Sequence, residues 1–525
     1  MKQKIAFTSG IIALMISCTK LDEDAYDQVL ESSFQPTEKD VPSIIAPAYT
    51  VMRGMMAGWQ GYFDLQEEPA DIIVTPARPN GWYDGGTYQR MHYHEWNSIQ
   101  WQPQNLWINC YAGINNVNRI LYQIDAGSIP ISTGKENTIA ELKTVRAFYY
   151  SLLLDNHGNV PIVTDFQDTS LPKQSTRQQV YDFTVQELLD NMNLLREQAD
   201  NTTYGRFNKW AAKALLARIY LNAEVYTGTP QWEKCIEQCD DVLGSGQYHL
   251  EDNYKSCFVT DNHHSKEIIL AVPYDEIYGT GNTIHMKTLA PLHRQVLNMT
   301  AQPWGGNCAV PQFINTYDPD DSRLNDTWLN GPQYNVTGGE LILTYTKEVD
   351  GIELSGQYQG YRIGKFEIKP GARDALSTDF PIFRYAEIKL MKAECLLRTG
   401  RAEEAAQLVT EVRERAFGGN PAKATVTGAQ LQMGSSYQYG YWQNNAVTEL
   451  QGGADIPYGR MLDELGWEFA AEAHRRMDLI RFGVFTRKKW FNHRPRIDGK
   501  PRTLFPIPEP ELAKNSNLQQ NPDYN

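Results

Sequence analysis

Apolar positions recur at helical spacing in two separate stretches of this chain. In GRFNKWAAKALLARIYLNAE (205–224), Trp210, Ala214, Ala217 and Leu221 are spaced by four, three and four residues. In QWEKCIEQCDDVL (231–243), Trp232, Ile236, Cys239 and Leu243 repeat that spacing. Each set makes one stripe on a helix of 3.6 residues per turn, so both segments are predicted as amphipathic helices. Thr227, Gly228 and Pro230 punctuate the turn between them. A second hairpin is predicted in IFRYAEIKLMKAECLLRTGRAEEAAQLVTEVRERA (382–416). There Gly400 follows the last periodic residue, and Ala393, Gly400 and Ala405 are small where paired helices approach. Further helices are predicted at 40–56, 98–125, 136–154 and 176–198. The stretch between the hairpins differs in kind. ELILTYTKEV and the alternation from Tyr361 to Ile368 read as short strands among clusters of Gly, Pro, Asn and Asp.

Both hairpins resemble tetratricopeptide helix pairs, although some 140 residues separate them. The predicted fold is therefore mostly α: a tetratricopeptide-like helical-repeat scaffold with an inserted loop-rich, partly β region. The chain divides into a leader at 1–17, a tether at 18–38, a helical region with an aromatic loop at 39–250, the insert at 251–380 and a second helical region at 381–525. Its length exceeds the ~250–300 residues at which single cores stop growing, so more than one packed unit is expected.

The leader begins with Lys2 and Lys4 and continues with an apolar run from Ile5 to Ile16. That run is shorter than the ~20 residues needed to span a bilayer, but it suits the core of a secretory signal. Ser17-Cys18 at its end resembles a bacterial lipobox, with Cys18 as the lipidated new N-terminus. The alternative is an ordinary secretory signal with an incidental cysteine. Lys20, Leu21, Asp22, Glu23 and Asp24 resemble the surface-export signal of Bacteroidetes lipoproteins, and they also suit a solvated linker. A net charge of −14 argues against nucleic acid, which needs a basic face. The remaining cysteines, Cys110, Cys235, Cys239, Cys257, Cys308 and Cys395, are read mostly as buried small hydrophobes.

Five blocks carry a family resemblance: VRAFYYSLLLDNHGNVPIVT, NKWAAKALLARIYLNAE, FRYAEIKLMKAECLLRTG, LGWEFAAEAHRRMDLIRFGVF and LFPIPEPELAKNSNLQQNPDYN. In this order they resemble the SusD/RagB family of outer-membrane nutrient-binding lipoproteins, over essentially the whole mature chain. The resemblance implies a non-enzymatic, lipid-anchored protein of the cell surface. It would cap a SusC-like TonB-dependent transporter and capture glycans or, in some members, peptides. It also implies structural roles for Trp467, Arg475, Arg476, Asp478 and Arg481. One departure is Asp463-Glu464-Leu465-Gly466, where the family commonly has an Arg; one structural ion pair of the family is not expected here.

Aromatic placement points to the ligand. Five of the twelve tryptophans, Trp59, Trp82, Trp96, Trp101 and Trp107, fall between Gly58 and Asn118. Sugar rings stack their C–H faces on aromatic rings and need polar groups at the edge. In PARPNGWYDGG, Trp82 and Tyr83 are expected at a loop tip, with Arg78, Asn80 and Asp84 beside them. In AQPWGGNCAVPQF, Trp304 is the second platform candidate, with Cys308 after it. Asp64 and Asp71 are candidate acceptors for sugar hydroxyls. Trp59, Trp101 and Trp107 lie on helix-like segments and are read as core.

Other groupings carry less. His92 with His94, and His263 with His264, lack a third metal ligand and read as polar loop pairs. Asp318, Asp320 and Asp321 resemble a calcium loop but lack the glycine and glutamate of an EF-hand. No cofactor is expected; an isolated structural calcium is the exception kept open. Glu67 and Glu68 are adjacent, which rarely gives the ~5–9 Å geometry of a glycosidase pair. Glycan binding is the first reading, peptide capture by the same architecture the second, and a helical-fold glycoside hydrolase the third.

Overall fold

The computed structural model describes residues 38–59 and 61–524; the leader, Cys18 and the rest of the tether lie outside the described residues. Helices Val41–Met55, Trp101–Asp125, Lys135–Asn156 and Arg177–Asn191 occupy the four predicted spans. The last begins with a capping box between Thr176 and Gln179 and ends in a short 3-10 turn, Met192–Leu194. The two hairpins form as Lys209–Leu221 with Trp232–Gly244, and Tyr385–Arg398 with Ala402–Glu414. They are distant in sequence but adjacent in space, because Tyr385–Arg398 packs on Trp232–Gly244 as well as on its own partner. The result is a mostly α scaffold of stacked helix pairs, interrupted in sequence and not in space.

The insert leaves and rejoins that scaffold through one antiparallel strand pair. Ile268–Val272 enters beside Phe380–Arg384, with Ile268 opposite Arg384 and Val272 opposite Phe380. Both strands are buried along their whole length. Inside the insert, Gly331–Tyr334 pairs with Leu341–Tyr345, and Trp328–Leu329 with Arg362–Ile363. The strand predicted from Tyr361 to Ile368 is thus only two residues long. Ile73–Val74 pairs with Cys308–Ala309 and ties the N-terminal region to the insert. The main hydrophobic core runs from Val41 to Ile507 through all three segments, and smaller clusters lie beside it, two of them within the insert. Among the described residues no helix is long and apolar enough to cross a membrane.

A buried ion-pair network holds these segments together. Arg384, at the end of the returning strand, reaches Glu267 at 2.6 Å, Glu472 at 2.7 Å and Glu468 at 3.2 Å. Arg415 adds Glu267 and Glu468; Arg323 binds Asp321, Glu464 and Glu468; Lys365 binds Glu472; Arg413 binds Glu464. Five cations therefore face five carboxylates, and nine of the ten side chains are under a tenth exposed. The departure at Asp463–Gly466 has a local answer. Glu464 makes its own pairs with Arg323 and Arg413, each at 2.7 Å, and Asp463 accepts hydrogen bonds from Ser436. The residues expected to be structural are so. Arg475 pairs with Asp71, Arg476 with Asp155, and Arg481 with Glu394 and Asp478.

Burial sets the charge states. By itself it would raise the Glu468 carboxyl, but Arg415, Arg384 and Arg323 outweigh it and hold the pKa at about 2. Seven of the ten histidines are pushed below their usual value, burial being the first cause in each: His92, His94, His157, His285, His293, His474 and His493. Lowered groups contribute stability that is present above their unfolded pKa and is lost as pH falls toward the folded one. For the histidines that loss begins near pH 6.5, and for Glu468 near 4.5. Glu67 and Glu387, raised by burial to about 8 and about 7, act in the opposite sense over pH 4.5 to 8. Burial also raises the carboxyls of Glu68, Asp84, Glu187, Asp326, Asp379, Asp463 and Asp478, which act in the same sense as Glu67 and Glu387. The histidines lose stability from higher pH, so the melting temperature is expected to fall from pH 7 to pH 5 in scanning calorimetry. A flat or rising profile would contradict neutral buried histidines.

Candidate aromatic binding face

The two loops singled out by their aromatics meet. Trp82 and Trp304 lie on nearly parallel planes, 9° apart, with ring centroids 6.2 Å apart. On its other side Trp82 stacks on buried Tyr88, also at 6.2 Å. Trp304 continues to Trp59 at 5.7 Å, and Trp59 meets Trp101 edge-on at 5.6 Å. The row is therefore Tyr88, Trp82, Trp304, Trp59, Trp101. Trp82 does not stand at the loop tip as expected. It is half-buried, with Tyr88 and Trp304 along its faces, while Tyr83 takes the tip at 52% exposure. Trp59 is 39% exposed and Trp101 half-buried, so neither is core; Trp107 is. The sequence signal missed at Trp59 is its glycine surround. Gly58 lies three residues beyond the helix Val41–Met55; it has φ +126°, and a Cβ there would lie 2.4 Å from Thr283 Oγ1, so the position takes only glycine.

Arg78 is a clamp, not a ligand group. Its guanidinium is buried and donates to the carbonyls of Gly306, Gly356 and Gln359 and to Cys308 Sγ. It thereby joins the Trp82 loop, the Trp304 loop and the 356–360 loop at one point. Burial first, and Arg362 second, lower its pKa to about 10. Cys308 is buried as the acceptor in that clamp and cannot touch a ligand. Asn80 is exposed; its Nδ2 donates to the Trp304 carbonyl at 3.1 Å and its Oδ1 accepts from the Trp82 amide. Gly306 packs so closely that a Cβ would come within 3.0 Å of the Trp82 ring.

The two aspartates expected as sugar acceptors are also buried. Asp64 lies beneath the platform and pairs with Lys287 Nζ at 2.6 Å. The same ammonium pairs with Glu68 and stands 4.2 Å from the Tyr88 ring centre. Asp71 is held by Arg475 at 2.6 Å and by the Tyr439 hydroxyl at 2.7 Å. These are carboxylates with nearby partners that come from hundreds of residues away in sequence. Asp84 remains half-buried at the face, its pKa raised by burial against a hydrogen bond from Trp59. Glu67 and Glu68 are fully buried: Glu67 accepts from the Ala473 amide, and Glu68 from Lys287 and Thr75.

Beside the row opens a cleft of about 670 Å³, lined by Asn80, the 291–302 segment and Gln357-Tyr358. The other groupings resolve elsewhere. His92 and His94 are buried rather than in a polar loop, with His94 stacked on Phe485 and His493. His263 and His264 are exposed. Lys423 bridges Asp318 and Asp320, and Arg323 takes Asp321, so side-chain cations already neutralise the three carboxylates. Cys110, Cys235, Cys239, Cys257, Cys308 and Cys395 are buried and unbridged.

Scaffold and face together define a helical-repeat protein with a partly exposed aromatic face where loops of the N-terminal region meet the insert. Comparison with known proteins is consistent with that class. Residues 266–524 match the model of the SusD family, and residues 23–221 match one described as starch-binding and associating with the outer membrane. The starch-binding protein SusD of Bacteroides thetaiotaomicron is 27% identical over 484 residues, covering 81% of this chain and 80% of that protein. A surface glycan-binding protein A from Bacteroides thetaiotaomicron, solved in complex with laminarihexaose, superposes with a TM-score of 0.71 at 20% identity, covering 93% of this chain and 100% of that one. A SusD superfamily protein from Parabacteroides distasonis does so with a TM-score of 0.72 at 19% identity, covering 93% and 99%. The chain belongs to the SusD/RagB family.

Arg78→Met keeps the length of the clamp but leaves the Gly356 and Gln359 carbonyls without their donor. At ~1–3 kcal/mol for each buried group left unmet, a loss of about 3 kcal/mol is expected as a lower urea midpoint. Tryptophan fluorescence should shift as the Trp82–Trp304 contact loosens. An unchanged midpoint and spectrum would show that the loops hold without the clamp.

Proposed function

We propose that the chain is a surface-exposed, lipid-anchored protein that binds oligo- and polysaccharides and passes them to a SusC-like TonB-dependent transporter. The observation that carries this reading is the row of indoles from Trp82 to Trp101, with Tyr83 at its end and polar groups along its edge. Centroid steps of 5.6–6.2 Å gather several partly open aromatic rings within a short span, so more than one sugar unit can make an apolar contact. An open face admits the middle of a long chain, which a closed pocket does not.

The relatives support the reading through what their names say of them: one binds starch, another was solved with laminarihexaose. Lipidation at Cys18 fits it as well. One acyl chain alone anchors marginally at ~0.8 kcal/mol per buried CH₂, and the three chains implied by the lipobox make attachment lasting. Shallow stacking gives weak single-site affinity. Tethering beside a transporter raises the effective concentration and offsets that weakness. A lid movement would carry the protein as one body, since the main core runs through all segments.

Calorimetry of the mature chain against plant, microbial and host glycans tests this. Trp304→Ala and Trp59→Ala are each expected to weaken binding by about tenfold, the scale of an aromatic contact plus the apolar area it buries. No reducing ends should appear during incubation. Binding that survives both substitutions would remove the platform from the mechanism. Binding of peptides alone would favour the second reading.

A further inference from the structure

The cleft beside the aromatic row has an uneven chemistry. Five side-chain amides line it, those of Asn80, Gln295, Asn298, Gln302 and Gln357, together with the guanidinium of Arg294 and no carboxylate. This is notable in a chain with 63 acidic residues against 49 basic ones. Arg294 is exposed, and its Nε donates to the Met299 carbonyl at 3.1 Å. That bond orients the fork and leaves the two terminal nitrogens for another acceptor. Among the described residues Arg294 makes no ion pair, although 34 such pairs form elsewhere.

Gln357 forms part of the cleft wall: its amide packs over Gly305, where a Cβ would lie 3.0 Å from its nitrogen, and both of its polar side-chain atoms are buried. The cleft and the row share Asn80, whose amide donates to the backbone of Trp304. A sugar ring on Trp304 therefore lies beside a cleft whose one charged group is a guanidinium. The lining amides both donate and accept and would serve neutral hydroxyls, whereas the guanidinium only donates. A carboxylate or sulfate accepts only, and a planar guanidinium meets such groups through paired hydrogen bonds.

We propose that the cleft reads an anionic substituent, so that the preferred ligands are glycans whose units carry a carboxylate or a sulfate. This rests on the glycan-binding reading above and narrows it. Arg294 supplies the charge, and the exposed Gln302 amide supplies a donor at its flank. The overall charge of −14 does not oppose this at the site, because salt screens charges beyond about 8 Å.

The test uses the mature chain and paired oligosaccharides in calorimetry. Oligogalacturonate is compared with its carboxyl-reduced counterpart, and κ-carrageenan oligosaccharide with its desulfated one; the two pairs separate carboxylate from sulfate. At least one anionic member is expected to bind about tenfold more tightly than its neutral partner, with affinity falling as salt rises. Arg294→Gln should erase that preference, and Arg294→Lys should keep part of it. Equal binding of charged and neutral members, lost in Trp304→Ala, would overturn the anionic assignment and leave the platform standing. A preference that persists in Arg294→Gln would overturn the role of this cleft. Failure of every glycan, charged or neutral, would overturn both readings together.

Discussion

Glu468 and the cations around it are the constraint on which the rest of the structure depends. The loop-rich insert shares the main hydrophobic core with the helical scaffold, but apolar contact alone is not directional. Buried ion pairs fix how the insert sits. Arg384 comes from the strand that leaves the insert, Glu267 from just before the strand that enters it, Arg323 and Lys365 from its interior. Glu464, Glu468 and Glu472 come from the signature helix and the turn after it. Burying ten charges carries a large desolvation cost, and a hydrophobic replacement of similar volume is often as stable. What such a network adds is selectivity. Removing one member strands a buried charge at a cost of ~3–5 kcal/mol, so alternative placements of the insert are strongly disfavoured. The platform loops inherit that placement, because Lys287, Trp304 and Gln357 all belong to the insert.

The same logic explains which parts of the molecule were legible in the sequence. Long helices announce themselves through local spacing, and the four single helices and both hairpins appear where periodicity puts them. The return of Tyr385–Arg398 onto Trp232–Gly244 is non-local, and neither helix signals it. The two aromatic loops were legible because glycine and proline around a tryptophan are a local feature. Trp59 was missed because the apolar pattern of the preceding helix runs close to it, although Gly58 and Gly61 flank it.

Errors at the site share one cause. Arg78, Asp64, Asp71 and Cys308 look exposed because they are polar or small residues in turn-rich sequence. Each is buried by a partner far along the chain: Gly306 and Gly356 for Arg78, Lys287 for Asp64, Arg475 for Asp71. A charged residue can be buried when its complement arrives from elsewhere, and one sequence does not show that complement. Asn80, Tyr83 and Asp84 escape this because their loop tip has no second layer above it. The calcium reading of Asp318 and its neighbours meets the same obstacle, since Lys423 lies 105 residues away from the first of them.

The carboxylates nearest the row have structural partners. Glycoside cleavage needs two carboxylates across the scissile bond, one of them with a raised pKa. Burial raises Glu67, Glu68 and, at the face, Asp84, and Glu67 accepts a backbone amide from Ala473. Glu68 and Asp64 are spent on Lys287. The carboxylates under the row thus hold the platform from below rather than act on what lies above it. A rigid row of this kind also bears on affinity. The rings are set by Arg78, Gly306 and the Tyr88 stack before any ligand arrives, so little conformational entropy is lost on binding. The indoles interlock with one another, and each gives a sugar only part of its face. Affinity must then come from several weak contacts along a chain rather than from one deep one, and the charged cleft beside the row is where such a surface can gain selectivity without closing.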